Sequence, residues 1–459
     1  MGKRRKEKKG ENEKNMKRIV LVLVMVLVLL TAAPLYGQEE LSRGEFAAML
    51  VEAGKMESNL SPADLLVQKG IMKGYPDGEL YLDRGITRME AIALTAKTLG
   101  MAESVVPPAE GDISLNKDHW GYTFYSWLNI FGLMDGNPED ALTEEEGSAF
   151  LEKVFTSDPE AILLQEKIKT DATDIESLRS VVNGNMKMIL RPGAEGTEEI
   201  PQMGFQMNIV QEMVFPDTMH QVSTMSIDIP GLGKQDMSSE MYLVDGKIYQ
   251  QLPLDETGEM QWVLYPEGLF PDLGQLMNAE EAGTTIPAGM EDYLHCQLLG
   301  TSEFNGEEVY QLATYGRVDD LDLFLEAISK QLGTNGQMAE LLGQGLAMID
   351  SMSLWCIEYI GANDYLTKSV DMFMIITLAE EFAGEPNPLE AIQMNMKVEE
   401  ISYNEDIVIE LPEEAKNASL MDLSELFPNQ EQLQELPEQE FMPPIQELMP
   451  EQEQKQLQE

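Results

Sequence analysis

Residues 69–100 read KGIMKGYPDGELYLDRGITRMEAIALTAKTLG, and this stretch decides the fold of the N-terminal region. Gly70 follows the predicted end of one helix, where a residue with positive φ is favoured. Pro76-Asp77-Gly78 is typical of a turn, because Pro pre-sets φ and Gly tolerates a left-handed backbone. Thr87 and Glu90 have the spacing of a capping box, in which each side chain bonds the backbone of the other residue. The stretch therefore predicts a helix end, a turn and a new helix.

The same pattern occurs elsewhere in the N-terminal region. The capping box occurs at Ser42–Glu45, Thr87–Glu90 and Thr143–Glu146. The glycine-bracketed turn occurs at Gly70–Gly74 and again at Gly132–Gly136. A repeated unit of this size buries its apolar face only against neighbouring units. We therefore expect three related units to pack together.

The second unit closely resembles an S-layer homology (SLH) repeat. That family has a G-[IL]-x-x-G turn, a Y-x-D-G loop and an [IL]-T-R-x-E helix start, and all three occur here in order. They are Gly70-Ile71-Met72-Lys73-Gly74, Tyr75-Pro76-Asp77-Gly78 and Ile86-Thr87-Arg88-Met89-Glu90. The resemblance implies that residues 38–156 form a mainly α-helical, pseudo-threefold trefoil. The first unit lacks its front half, and the third lacks the Y-x-D-G loop and has Glu144 in place of the arginine.

SLH modules bind secondary cell-wall polysaccharide, which often carries negatively charged pyruvyl ketals. A guanidinium in the first turn of a helix can bind a carboxylate through two parallel hydrogen bonds. The predicted polymer-binding residues are therefore Arg88 and Arg43. By resemblance, Asp77 and Gly78 shape the groove, and Trp120 is a candidate ring for stacking on a sugar. The alternatives are salt bridges to Glu for the two arginines and a buried packing role for Trp120.

The charge of the chain excludes several partners. There are 81 Asp and Glu against 31 Lys and Arg, a formal net charge of -50. Such a surface repels phosphate backbones, so we expect no nucleic-acid binding. The charge is typical of a soluble secreted protein, with calcium binding as the alternative, but no EF-hand-type loop is present. The three histidines are scattered, so we predict neither a metal site nor a cofactor.

No motif of a known enzyme class is present. The sequence lacks G-x-S-x-G, H-E-x-x-H, a phosphate-binding loop and C-x-x-C. We predict a non-enzymatic protein. The alternative is a surface hydrolase that acts on cell-wall glycan or lipid through carboxylates that no motif identifies.

The two ends of the chain differ in composition from the rest. Residues 1–37 have a basic start, an apolar run and a small-residue end, which is typical of a secretory signal peptide. The apolar run, Ile19–Leu30, is short for a transmembrane helix of about 20 residues, and an uncleaved anchor is the alternative. Residues 418–459 are rich in Gln, Glu and Pro, which predicts disorder. We therefore expect a secreted protein at the cell wall or cell surface.

Residues 157–417 predict a second, α+β domain. A helix over 157–182 precedes strands that alternate in polarity, with further helices at 319–331 and 337–348. The strands are expected to form hairpins at four turns: Asp245-Gly246, Asn305-Gly306, Ala362-Asn363-Asp364 and Asn404-Glu405-Asp406. This order favours an antiparallel open β-barrel around inserted helices. It is similar to the lipoprotein-carrier (LolA/LppX-like) fold, which implies an apolar inner face. We expect this domain to bind an apolar ligand, a lipid or a protein.

The second domain contains many methionines and both cysteines of the chain. Met186 and Met188 begin a methionine-rich region that continues to Met225. Methionine suits an adaptable apolar pocket, and ordinary core filling is the alternative. Cys296 and Cys356 could form a disulfide in an oxidising compartment, or they could be two buried thiols. The whole chain is thus predicted to be α+β and multidomain, with a mainly α SLH pseudo-trimer, an open β-barrel and a disordered acidic tail.

Overall fold

The computed structural model describes residues 40–101, 115–133, 136–171, 175–191, 204–229, 233–253, 260–266, 289–332, 346, 348–382 and 385–421. The predicted signal peptide (1–37), nearly all of the predicted helix at 337–348 and the predicted tail beyond residue 421 lie outside them.

The first five helices belong to the repeat region, and the later ones accompany the sheet. They are α1 (Arg43–Ala53), α2 (Pro62–Gln68), α3 (Arg88–Thr98), α4 (Tyr122–Ile130), α5 (Glu144–Phe155), α6 (Pro159–Asp171), α7 (Leu321–Leu332) and α8 (Glu413–Lys416). None of the described helices has the length and apolar character needed to cross a membrane.

The strands are long and mostly antiparallel. They are β1 (Ser177–Leu190), β2 (Gly204–Val214), β3 (Thr218–Ile229), β4 (Gly233–Val244), β5 (Lys247–Pro253), β6 (Met260–Leu264), β7 (Leu294–Phe304), β8 (Glu307–Val318), β9 (Ile349–Gly361), β10 (Thr367–Leu378), β11 (Glu381–Phe382), β12 (Glu385–Pro386), β13 (Leu389–Tyr403) and β14 (Ser419–Leu420). Twelve of them form one sheet in the order β14-β6-β5-β4-β3-β2-β1-β13-β10-β9-β8-β7, which is open because β14 and β7 are its two edges.

The repeat region is held together by a ring of backbone hydrogen bonds. The N–H of Leu41 donates to the carbonyl of Leu142 (2.8 Å), that of Leu142 to Ile86 (3.0 Å) and that of Ile86 to Leu41 (2.8 Å). Each of the three residues precedes the N-cap of a helix, and all three capping boxes are formed. The ring confirms the predicted pseudo-threefold arrangement. Its centre is closed by buried apolar side chains of all three units.

The sheet contains three of the four predicted hairpins, and the structure contradicts one predicted helix end and one predicted hairpin. The predicted helix over 157–182 is wrong at its end, because α6 stops at Asp171 and β1 begins at Ser177. Residues 177–182 read equally well with helical spacing, but β1 is paired with β2 on one side and β13 on the other. These two ladders outweigh local propensity. The predicted hairpin at Asn404-Glu405-Asp406 is also wrong, since β13 pairs with β1 and β10 instead.

The two faces of the sheet have different chemistry. Register places Met372, Met396, Gly184, Met207, Met225 and Met237 in one row across six neighbouring strands. We call this side the methionine face. Helix α6 packs against it through Ala161, Leu164 and Ile168, which contact Cys296 and Leu312. Because side chains alternate along a strand, the residues between these point to the other side, which we call the docked face.

The repeat region packs on the docked face through α4 and α5. The ring of Trp127 on α4 lies 4.7 Å from that of Phe373 on β10 and 5.6 Å from that of Trp355 on β9. The hydroxyl of Tyr315 on β8 donates to the carbonyl of Val154 on α5 at 2.8 Å. Residues of both regions thus form one apolar cluster. The repeats and the sheet share a core and are expected to fold together.

The two cysteines are free thiols, and both are buried. Cys296 on β7 and Cys356 on β9 are each in register with Thr314 on the intervening strand β8. Neighbouring strands lie about 4.7–4.9 Å apart, so the two Cα atoms are separated by more than the limit of about 7 Å for a disulfide. The disulfide alternative is therefore wrong. Burial raises the pKa of both thiols, which keeps them protonated and unreactive.

Buried His295 makes the junction between the two regions sensitive to pH. Its ring is 5% exposed and lies against Phe155 and Tyr315. Burial, and secondarily the charge of Lys55, lowers its pKa to about 4, while Asp292 acts in the opposite direction. The imidazole is therefore neutral in the folded protein at neutral pH.

We expect the free energy of unfolding to fall as the pH is lowered from 7 to 4. The unfolded chain takes up a proton near pH 6.5, whereas folded His295 resists protonation until about pH 4, so acid favours unfolding. The contribution is on the order of 3 kcal/mol. It is measured as the difference between wild type and His295→Gln in urea unfolding at a series of pH values. Parallel pH profiles for the two proteins would contradict this assignment.

Candidate functional site

The first groove of the repeat region is closed over Arg43. The guanidinium Nη2 donates to the carbonyl of Lys73 at 2.9 Å, and Nη1 lies 3.5 Å from Glu90 Oε1. The guanidinium carbon lies 4.7 Å from the centre of the Tyr75 ring, whose hydroxyl also bonds Glu90. The arginine side chain is 9% exposed. Arg43 is thus engaged by the next unit, as the salt-bridge alternative predicts.

The second groove repeats this arrangement around Arg88 but is more open. Arg88 Nη2 lies 3.1 Å from Oε1 of Glu146, so each arginine contacts the capping glutamate of the following unit. Hydrogen bonds from Thr143, followed by the charge of Arg88, lower the pKa of Glu146. Where the second unit has Tyr75, the third has Asn137. With no tyrosine ring in that position, the Arg88 side chain is 16% exposed.

Trp120 lies at the rim of the second groove. Its side chain is 61% exposed, so the packing alternative for this residue is wrong. The neighbouring His119 places Nε2 3.1 Å from Glu139 Oε1. Glu139 lies in the loop of the third unit. The next residue in this loop is Asp140, whose carbonyl accepts a hydrogen bond from the backbone N–H of Arg88 at 2.8 Å. The same loop therefore contacts the backbone of Arg88 and the residue next to the solvent-exposed Trp120.

Asp77 and Gly78 lie in the loop of the first groove. Gly78 has φ of 86°, which favours glycine. Asp77 accepts a hydrogen bond from the hydroxyl of Tyr81 and one from the backbone N–H of Glu79, and these bonds lower its pKa. The carboxylate thus stabilises the turn. The ring of Tyr81 is 48% exposed at the edge of the same loop.

The predicted binding residues are thus divided between two grooves. The first groove, at the loop of the second unit, contains Arg43, Asp77 and Gly78. The second groove, at the loop of the third unit, contains Arg88 and Trp120. The sequence offered salt bridges to Glu as the alternative for both arginines, but it did not identify the capping glutamates of the following unit as the partners. Within the described part of the chain, no three His, Cys, Asp or Glu side chains are grouped so that they could hold a metal ion.

Comparison with known families covers both regions. An SLH domain model matches residues 62–92, which confirms the resemblance of the second unit. Residues 161–419 match the model of a family described as "Family of unknown function (DUF6612)", and this is more than half of the chain. The chain belongs to DUF6612. The SLH domain indicates association with the cell surface. No curated protein matches the chain.

Solved structures similar to the DUF6612 region include two mycobacterial proteins. LprF from Mycobacterium bovis is 12% identical over 56% of this chain and 99% of that chain, with a TM-score of 0.30. The lipoprotein LppX from Mycobacterium tuberculosis is 11% identical over 55% of this chain and 100% of that chain, with a TM-score of 0.24. A putative outer membrane lipoprotein-sorting protein domain from Vibrio parahaemolyticus is 10% identical over 54% and 93%, with a TM-score of 0.21.

The fold that the sequence resembles is the LolA/LppX-like fold, and LppX is one of these three structures. Their TM-scores are below 0.5, and the likeness carries no argument on what this chain binds.

Proposed function

We propose that this is a non-enzymatic, secreted cell-surface protein whose SLH region binds secondary cell-wall polysaccharide. The observation that carries the proposal is the second groove. There a partly exposed guanidinium, Arg88, and a largely exposed indole, Trp120, lie beside the same loop, which contacts the backbone of Arg88 and the neighbour of Trp120, His119. A guanidinium can bind an anionic ketal, and an indole can cover the apolar face of a sugar. In the first groove Tyr75 already covers Arg43, so we assign that arginine a supporting role.

The sheet is proposed to bind an apolar ligand or lipid on the methionine face. Met207, Met225, Met372 and Met396 are only partly buried there, and Met237 is 50% exposed. Flexible thioethers adapt to apolar ligands of varied shape. The test is mass spectrometry of organic extracts from full-length chain purified without detergent. A chain that carries no lipid, and takes none up from vesicles, would remove this part of the proposal and leave ordinary core filling.

Arg88→Ala is expected to weaken binding to purified cell walls by about ten-fold or more. A hydrogen bond to a charged group contributes about 1.5–3 kcal/mol, and ten-fold in affinity corresponds to 1.4 kcal/mol. The measurement is co-sedimentation of the full-length chain with walls, before and after removal of their secondary polymers. The full chain is required because the repeats share their core with the sheet.

Two matched variants accompany this test. Arg84→Ala removes a guanidinium that lies 5.1 Å from the Tyr75 ring in the first groove, and it is expected to leave wall binding intact. Arg88→Lys keeps the charge but loses the planar fork, and it is expected to recover binding only in part. Equal binding by wild type and Arg88→Ala, with both proteins folded, would assign Arg88 to the salt bridge with Glu146 alone.

A further inference from the structure

A cavity lies at the junction between α4 and the docked face of the sheet. Its volume is about 810 Å³, and it is lined by residues of both regions. Sites for small molecules commonly measure about 300–1,000 Å³. This cavity is separate from the SLH grooves, and the functions proposed above do not use it.

One wall of the cavity is apolar. Helix α4 contributes Trp127, Ile130 and Phe131, and the sheet contributes Trp355 and Phe373. The indole rings of Trp127 and Trp355 are 0% and 1% exposed. This wall is held rigidly, because its rings also form the shared core between the two regions.

The opposite wall is formed by side-chain amides. Asn395 on β13, Asn185 on β1 and Gln206 on β2 are in register across three neighbouring strands. Asn183 and Asn208 form the adjacent row. Asn208 Nδ2 donates to Asn183 Oδ1 at 2.8 Å, and Asn395 Nδ2 donates to Asn185 Oδ1 at 3.1 Å. These bonds fix the orientation of the amides and leave further donors and acceptors for a ligand.

Several polar atoms of this lining lack a partner. Within the described part of the chain, the indole N–H of Trp127, that of Trp355 and Oδ1 of Asn395 are buried and make no hydrogen bond. Leaving such groups unpaired is costly, and buried polar groups are usually satisfied. A ligand that offers acceptors to the two indoles and a donor to the amide would remove this cost. It therefore carries both kinds of group.

The charges in the lining neutralise each other. Lys397 Nζ lies 3.7 Å from Asp371 Oδ1, and the hydroxyl of Tyr359 donates to Asp371 Oδ2 at 3.2 Å. Both charged side chains are thus already paired, which favours a neutral ligand. The cavity also lies over β10, β13, β1, β2 and β3, which are all paired on both sides. No edge is available there for a peptide to add as a strand, so recognition occurs through side chains.

We propose that this cavity binds a neutral oligosaccharide. Each sugar hydroxyl is both a donor and an acceptor, which suits the amides and the unpaired indole N–H groups. The C–H face of a pyranose ring suits the partly exposed side chain of Ile130 on the apolar wall. Binding at the junction would be separate from wall anchoring through Arg88, and each site is expected to work without the other.

The test is titration of the full-length chain with triacetylchitotriose, maltotriose and cellotriose, monitored by tryptophan fluorescence and calorimetry. The Trp120→Phe/Trp262→Phe background leaves Trp127 and Trp355 of the cavity lining as the only tryptophans of the chain, so that a change in emission reports on the cavity. We expect saturable binding of at least one trisaccharide and a shift of emission. Gln206→Leu and Asn185→Leu are expected to weaken binding at least ten-fold. Gln206 is exposed, so that its variant leaves the core unchanged.

Gln221→Leu is the matched control, because it removes an amide from β3 on the methionine face and should leave binding unchanged. Arg88→Ala is expected to lose wall binding but keep trisaccharide binding, whereas the cavity variants should do the reverse. The proposal is overturned if no trisaccharide binds, or if Gln206→Leu and Asn185→Leu bind normally while folded. It is also overturned if an uncharged peptide, N-acetyl-trialanine amide, displaces the sugar.

Discussion

Trp127→Ala is expected to lower the free energy of unfolding by about 3–5 kcal/mol, as truncation of a fully buried tryptophan does. Trp127 is 0% exposed, and its ring contacts those of Phe131, Trp355 and Phe373. Its removal leaves a cavity between α4 and the docked face that neither region can fill alone. The variant should therefore weaken the repeats and the sheet together. Urea unfolding measures the loss.

Trp120→Ala is the matched control for this prediction. Trp120 precedes the same helix and is the same residue type, but it is 61% exposed. Its truncation is expected to change stability by about 0.5 kcal/mol or less. Unfolding is followed by the far-ultraviolet signal of the helices and by tryptophan fluorescence, to which Trp262 on β6 contributes. Two separate transitions in the wild-type protein would show that the repeats and the sheet do not fold as one unit.

Local chemistry explains which parts of the fold were predictable. The capping boxes at Ser42, Thr87 and Thr143 involve residues three positions apart, and all three are formed. The Asp245-Gly246 and Asn305-Gly306 turns also formed as predicted, since their sequences favour a positive φ. In each case one short segment contains all of the atoms that decide the outcome.

The features that could not be predicted depend on contacts distant in sequence. Nothing in the sequence of residues 122–130 indicates that Trp127 packs on β9 and β10. The boundary between α6 and β1 was missed because strand pairing with β2 and β13 decides it. The state of the two cysteines depends on the order of the strands in the sheet, where β8 lies between β7 and β9 and holds the two thiols apart.

The binding site shows the same division. Arg43 and Arg88 were equivalent by motif, because both occupy the first position of a capped helix. Their environments differ through the following unit, where Tyr75 covers one arginine and Asn137 is present in the other groove. Which arginine stays accessible is decided by the neighbouring repeat and could be read only from the structure. It is this difference that directs the wall-binding test to Arg88.

Gly100→Ala is expected to lower the free energy of unfolding by about 2–5 kcal/mol, for two separable reasons. Gly100 ends α3 with φ of 84°, a conformation that costs an alanine about 1–2 kcal/mol. A Cβ at this position would also overlap the hydroxyl of Ser353 on β9 and approach Cδ of Arg317 at 3.6 Å. The substitution therefore strains the backbone and pushes the repeats away from the sheet.

Two further variants separate these effects by urea unfolding. Gly70→Ala places an alanine at φ of 69° with nothing within 4 Å of its Cβ, so it measures the backbone strain alone. Ser353→Gly removes the overlapping side chain, and the double variant Gly100→Ala/Ser353→Gly should recover the overlap cost but not the strain. A favourable coupling of at least 1 kcal/mol in this cycle is expected for residues in contact. Additive effects would place α3 away from β9 in solution, and the shared core of the two regions would then depend on α4 and α5 alone.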